Sequence, residues 1–461
     1  MLAPKPGTEL DGFRLGEKIH VGTMAWIFRL MGPEGPLPLI MKIPKVGLDE
    51  RPANVVSFEV ERTVLGALAQ GTHHPTLVAY GDVETTPYLV MEHIEGTRLQ
   101  DWIQRAPLPP EETARLGHAF ALALHDIHRQ DVIHLDLKST NVLYRASGEA
   151  ALIDFGLSNH RHYPDLLAEE FRFPVGNWSY MSPEQVLGVR CDPRSDVFAL
   201  GALLYELATG KQPFGLPKTV AQLRQRLYRD PVPPRAIVAA TPDWLQEIIL
   251  HCLEVDGRDR YASAAQVAFD LANPDQVELT QRGERRRRAG WASLARRWMR
   301  AKNFEPAPCP PPSTTITPAP IVLVAIPSMQ TDEALFEALR DAVRRQIAAH
   351  ERCRVACITV VPPAAALSDD TPTGRHIKHL VNLRRWAKPL GLPEERLTYH
   401  VLESEKPAVA LIDFASMNDV DQILIGAPRS AVHTRWSAGV PAQVVAGAPC
   451  SVTAVRPRSD I

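Results

Sequence analysis

The residues best suited to chemistry form a short run, His134-Leu135-Asp136-Leu137-Lys138-Ser139-Thr140-Asn141, followed by Asp154-Phe155-Gly156. Moving a phosphoryl group onto a hydroxyl takes a carboxylate that orients the hydroxyl and accepts its proton. It also takes oxygen ligands for magnesium and a cation near the transferring phosphate. Asp136, with Lys138 two and Asn141 five residues on, supplies a carboxylate, an ammonium and an amide oxygen from one loop. Asp154 stands between a strand-like Ala151-Leu152-Ile153 and a glycine, where a carboxylate can reach a metal at a strand end. Hard magnesium prefers such oxygens.

The elements that must position this loop are read from the pattern around it. Short apolar runs broken by Gly and Pro (FRLGEKI, WIFRL, PLIMKI, YLVME) predict a small antiparallel sheet. From about Glu111 the apolar residues recur at three and four, as in ETARLGHAFALALHDIH, which predicts helix. Near residue 275 the composition changes. Residues 275–320 carry nine basic and four acidic side chains, and residues 303–320 hold seven prolines. Proline fixes φ and removes backbone donors, so an extended spacer is expected there. Beyond it, IVLVAIP, a helical stretch over 332–350, VACITVV, KPAVALIDFAS, QILIG and SVTAVR alternate strand with helix. That alternation predicts a parallel α/β sheet. The division is 11–274, a linker over 275–320, and 321–456.

Composition narrows the function classes. The 461 residues are 45% apolar and 23% charged, which excludes wholesale disorder. Lys and Arg total 51 against 53 Asp and Glu, for a net charge of -2, which argues against a nucleic-acid binder. No run approaches the roughly 18 apolar residues of a membrane span. The N-terminus lacks the apolar core of a secretory signal, so a cytoplasmic location is expected. Six scattered cysteines form no Cys-x-x-Cys pair and are expected to be reduced, buried thiols.

The loop residues resemble the catalytic and metal loops of the eukaryotic-type (Hanks-type) serine/threonine protein kinases. Other positions agree in order and spacing. Lys42 matches the strand lysine on the nucleotide phosphates, and Glu61 the helix glutamate that pairs with it. Ile19, Gly22 and Ile27 fall in the phosphate-loop region. Met91, Glu92 and Ile94 match the adenine hinge, with Met91 as gatekeeper. Ser182-Pro183-Glu184, Asp196, Gly201 and Arg260 match elements further on, with Arg260 placed to pair with Glu184. The resemblance covers about 11–274 and implies a bilobal α+β kinase fold using ATP and Mg2+. It assigns Asp136 as base, Lys138 to the phosphate, and Asn141 and Asp154 to magnesium.

The departures are specific. His20 and Ala25 replace two of three phosphate-loop glycines, and Leu135 replaces the arginine that usually precedes the base. The segment 157–181 contains no threonine, so activation-loop phosphorylation is not expected to be required. Gly176-Asn177 replaces the usual Gly-Thr, with the Asn177 amide available to Asp136 and Lys138.

Residues 321–456 resemble a universal stress protein domain. Gly426 is kept from that family's nucleotide cradle, but Arg429 replaces the second glycine, Val440 follows Gly439, and Pro327 stands near the usual aspartate. A phosphate cradle needs small residues and a hydroxyl. The resemblance therefore implies a regulatory or homodimerising module. Between the domains, Trp291, Leu294 and Trp298 fall at helical spacing among arginines. Residues 285–300 either lie on anionic lipid, cover the acidic first unit, or form a solvated tether. Two readings stand, a kinase acting on Ser/Thr hydroxyls of protein substrates or a pseudokinase scaffold without turnover; a small-molecule kinase is disfavoured because Ser182-Pro183-Glu184 and Asp196 resemble the protein-kinase type.

Overall fold

The computed structural model describes residues 4–22, 24–32, 35–45, 53–69, 71–81, 86–167, 176–287, 290–301, 303–310, 320–328, 333–350, 352–363, 372–393, 396–427 and 439–457. Strands β1 (Glu9–Leu10), β2 (Phe13–Val21), β3 (Ala25–Gly32), β4 (Gly35–Pro44), β5 (Leu77–Gly81) and β6 (Tyr88–Glu92) form one antiparallel sheet. Its order is β1-β2-β3-β4-β6-β5. One face buries Leu15, Phe28, Leu30, Met41 and Val90 together. Helix α1 (Ala53–Ala67) crosses from β4 to β5.

The second lobe is helical. Helix α2 (Pro110–Arg129) opens on Pro110 with Glu111 and Glu112 in its first turn and closes on His128 and Arg129, an order matched to the helix dipole. Leu116, Phe120, Leu124 and Ile127 line its buried stripe. Strands β7 (Val142–Tyr144) and β8 (Ala150–Leu152) make a hairpin beside the 134–141 loop. Helix α3 (Arg194–Thr209) is buried almost throughout and ends at Gly210, whose φ of 66° only glycine adopts freely. It packs on helix α4 (Asp243–Cys252) so closely that a Cβ on Gly201 would lie 2.4 Å from the Cys252 Cβ.

The region between the domains folds back on the helical lobe. Gln246 Nε2 donates to the Arg282, Gly283 and Arg285 carbonyls, and Glu247 accepts from the Arg282 guanidinium at 2.8 Å. In helix α5 (Trp291–Ala301), Arg297 pairs with Asp230, which Arg285 also reaches at 3.3 Å. The basic helix therefore lies against the first unit. The expectation of six reduced thiols needs correcting: Cys191 and Cys309 form a disulfide. Their pairing follows from the linker's return, since Ala307 is buried and Arg161 bonds the Pro310 carbonyl. Cys252, Cys353 and Cys357 are buried thiols and Cys450 is half-buried.

The last unit has five parallel strands, β9 (Ile321–Ala325), β10 (Arg354–Val361), β11 (Leu397–Glu403), β12 (Gln422–Gly426) and β13 (Ser451–Val455), in the order β11-β10-β9-β12-β13. Helices α6 (Glu333–Ala349) and α7 (Pro372–Ala387) cover one face, and α8 (Pro407–Met417) and α9 (Val440–Gly447) the other. Burial on both faces accounts for the unbroken apolar run of β9. Pro327 follows β9 at the point where strand order reverses, and Arg429 lies outside the described residues. Among the described residues no helix is long and apolar enough to cross a membrane.

Candidate active site

The 134–141 loop is held in shape from a distance. Asp196, 1% exposed at the start of α3, accepts the His134 N–H at 2.8 Å and the Leu135 N–H at 2.9 Å. The His128 ring adds a contact at 2.9 Å. Gln185 donates to the Leu135 carbonyl and Ser158 to that of His134. This network holds Leu135 at a φ of 62°, a left-handed conformation that an ordinary side chain disfavours. Leu135 itself is buried. The His134 ring sits 5.0 Å from that of Phe155 and contacts the Ile153 carbonyl.

Within that frame the predicted groups converge. Lys138 Nζ is 2.6 Å from Asp136 Oδ2 and 3.9 Å from Asp154 Oδ2. Asp136 Oδ1 accepts the Asn177 backbone N–H at 2.9 Å. The Asn177 side chain instead accepts from the Ser179 N–H, so the contact expected of its amide is made by its main chain. Asn141 Nδ2 donates to the Asp136 carbonyl at 3.0 Å, which fixes the orientation of its amide.

Lys42 on β4 joins both lobes. Its Nζ lies 2.6 Å from Glu61 on α1 and 2.7 Å from Asp154. Burial works against the Lys42 ammonium, but Asp154 and Glu61 outweigh it and raise its pKa above the ordinary value. Lys42 holds the Asp154 carboxyl below the usual carboxylate range, with Lys138 adding to the effect. Burial pushes the Glu61 carboxyl up, against the pull of Lys42. Helix α1 also meets the Asp154 segment directly: Ser57 Oγ donates to the Gly156 carbonyl at 2.9 Å. A Cβ at 156 would lie 2.3 Å from that hydroxyl oxygen, so the approach requires glycine.

The residues assigned to the nucleotide lie on or just beside strands β2, β3, β4 and β6. Ile27 on β3 is the cross-strand partner of both His20 and Lys42. The Gly22 N–H donates to the Ala25 carbonyl, closing the turn after Ile19 and the exposed His20, while Thr23 lies outside the described residues. Met91 is buried on β6, and Ile94 packs with Leu143 and Ala151. The Glu92 carboxylate is engaged by Arg145 at 2.8 Å. Below the site, Arg260 binds Glu184 through both nitrogens at 2.6 and 2.7 Å. Burial raises the Glu184 carboxyl, but Arg260 and Ser195 more than offset this and leave its pKa lowered.

The donor set suits magnesium. The Asn141 amide nitrogen is turned to Asp136 and its oxygen accepts from Thr140 Oγ1 at 3.4 Å, while Asp154 Oδ2 lies 3.9 Å from the Lys138 ammonium. One carboxylate and one amide oxygen match that ion's preference for hard oxygen ligands. Ser57, Gln185 and Ser158 were missed from sequence, where isolated hydroxyls and amides carry no spacing signal.

Residues 45–270 match the protein kinase domain family, and residues 320–456 match the universal stress protein family. Among curated relatives, serine/threonine-protein kinase PknB of Mycobacterium leprae is 30% identical over 270 residues, covering 57% of this chain and 42% of that protein. Serine/threonine-protein kinase Pkn1 of Myxococcus xanthus is 31% identical over 293 residues, covering 61% and 41%. A probable serine/threonine-protein kinase of Corynebacterium efficiens is 29% identical over 336 residues, covering 69% and 47%. The chain thus spans less than half the length of these relatives.

Proposed function

We propose that this chain, a protein kinase domain joined to a domain of the universal stress protein family, transfers the γ-phosphate of ATP to serine and threonine hydroxyls of proteins. The observation that carries the reading is Asp136, with one oxygen on the Lys138 ammonium and the other on the Asn177 N–H, near an Asp154 paired with Lys42, which Glu61 also holds. A scaffold without turnover has no need of that complete charged set. We assign transfer to residues 11–274, linked through 275–320 to 321–456.

In this reading Asp136 orients the acceptor hydroxyl and takes its proton as the oxygen attacks the γ-phosphorus and ADP departs. Lys138, set between the two aspartates, offsets charge on the transferring group. Lys42, locked by Glu61, holds the nucleotide phosphates in line. Asn141 and Asp154 would hold magnesium, which when bound would neutralise charge on the phosphates. Ile19, Gly22, Ile27, Met91, Glu92 and Ile94 enclose the nucleotide. An ATP-consuming reaction fits a cytoplasmic location.

Incubating the full chain with Mg-ATP and a generic basic protein, then mapping products by mass spectrometry, tests this. Phosphoserine and phosphothreonine are expected. Bound nucleotide without any phosphorylated product sinks the reading.

A further inference from the structure

Helix α1 is gripped from both sides. Glu61 points inward to Lys42. Glu59, two residues earlier and so about 200° around the helix, points the other way. Its Oε1 accepts from Arg384 Nη2 of α7 at 2.8 Å, and its Oε2 from the neighbouring Arg62. Both partners of the Glu59–Arg384 pair are buried, with side chains 11% and 8% exposed. One turn before Glu59, Val55 is fully buried, in a cluster whose other core members all come from residues 322–455. The outer face of α1 is thus embedded in the C-terminal domain.

The same domain grips the segment after Gly156. Arg354, at the start of β10, donates to the His162 carbonyl and lies 4.0 Å over the Tyr163 ring. Asn418, after α8, accepts the Asp165 N–H at 2.6 Å. Arg190 steadies Asp165 from the kinase side at 2.6 Å. The gripped helix carries Glu61 and, through Ser57, meets Gly156 two residues after Asp154, while the gripped 162–165 segment continues the chain beyond it.

We propose that the C-terminal domain is a built-in positioning partner of the active site, Arg384 fixing helix α1 through Glu59 and Arg354 fixing the 162–165 segment. Withdrawing the domain would break the Glu59–Arg384 pair and expose Val55 to water, so docking favours the position of α1 that holds Glu61 at Lys42. The proposal rests on the kinase reading, with Arg384 and Arg354 acting through other residues and not on substrate.

The test uses the full chain with Arg384→Glu, Glu59→Arg and the double swap. Each is measured for kcat, for KM of ATP, and for amide hydrogen exchange over residues 53–67. Each single change should lower kcat about tenfold or more, within the roughly 5–150-fold span of couplings between sites. Each should also speed exchange across α1, and the swap should recover both. Singles that match the parent in kcat and exchange overturn the proposal. So does a swap as impaired as the singles, because a merely structural defect would not be rescued by exchanging charges. If Arg384→Glu does not fold, Arg384→Gln is judged by the same measures. If the parent chain transfers no phosphate, the kinase reading falls by itself and the exchange measurement alone decides this one.

Discussion

Replacing Asp136 by asparagine keeps the side chain's size and removes its base, and the local geometry sets the consequence. Both carboxylate oxygens already accept, Oδ1 from the Asn177 N–H and Oδ2 from the Lys138 ammonium. Asparagine offers one acceptor and one donor group in their place. However the amide is turned, its NH2 faces one of those two donors, so a bond is lost and Lys138 or the 176–177 turn must shift. Without a base, the proton-accepting step loses about 10²–10⁴ in rate. That is about 2.7–5.5 kcal/mol of barrier at about 1.36 kcal/mol per tenfold. Nucleotide binding should be spared, because Lys42, Glu61 and Asp154 keep their mutual contacts. Steady-state transfer to a protein substrate and equilibrium binding of Mg-ATP separate the two effects. The expected pattern is a loss of two to four decades in kcat with Kd within about threefold of the parent. A variant retaining more than about a tenth of the parent kcat, or one whose loss follows its Kd, would refute the role given to Asp136.

Three further outcomes follow from buried groups. Arg260→Ala leaves Glu184 buried without its bidentate partner, and breaking such a pair costs about 3–5 kcal/mol; urea unfolding of the helical lobe within about 1 kcal/mol of the parent would contradict it. Burial pushes the pKa of His160 and His400 down to about 3. Each therefore stays neutral in the folded chain while its unfolded form protonates below about 6.5. Stability from these groups is complete above pH 6.5 and declines towards pH 3, by about 1.4 kcal/mol per pH unit for each histidine. His400→Gln should flatten the decline between pH 6 and 5, and an unchanged slope would count against it. Reducing Cys191–Cys309 frees a loop spanning 118 residues, worth about 4–5 kcal/mol on chain-entropy grounds. Reductant and Cys309→Ser should lower the unfolding midpoint equally, and a midpoint indifferent to both would show that the bond adds no stability.

What the sequence disclosed depended on how locally each feature is encoded. Asp136, Lys138 and Asn141 lie within six residues, so their joint chemistry was legible at once. The antiparallel sheet and the parallel one were readable because alternation and continuous apolar runs are periodic signals. Glu59 and Arg384, 325 positions apart, look in sequence like any two solvated charges. The proline-rich linker suggested an extended spacer, and nothing local announced that Ala307 would be buried or Cys309 paired.

The deeper limit concerns conformation more than contact. Leu135 and Asp154 both sit at positive φ, 62° and 69°, and such residues cost of order 1–3 kcal/mol each. Neither is glycine, so neither advertises the conformation. It persists because acceptors and donors from elsewhere over-determine it. Asp196 takes two N–H groups from 61 and 62 residues away, and Gln185 reaches Leu135 across 50. The loop's own residues specify which groups are available for the proposed phosphoryl transfer. The helical lobe, through one buried carboxylate, specifies where they point. Asp196→Asn would therefore keep every group of the loop and still misplace Asp136. An amide has a single oxygen, so it can accept through that atom only, while its nitrogen faces a donor. A kcat loss with little change in ATP binding would locate the defect in geometry, and an unchanged kcat would show that the loop holds its shape unaided.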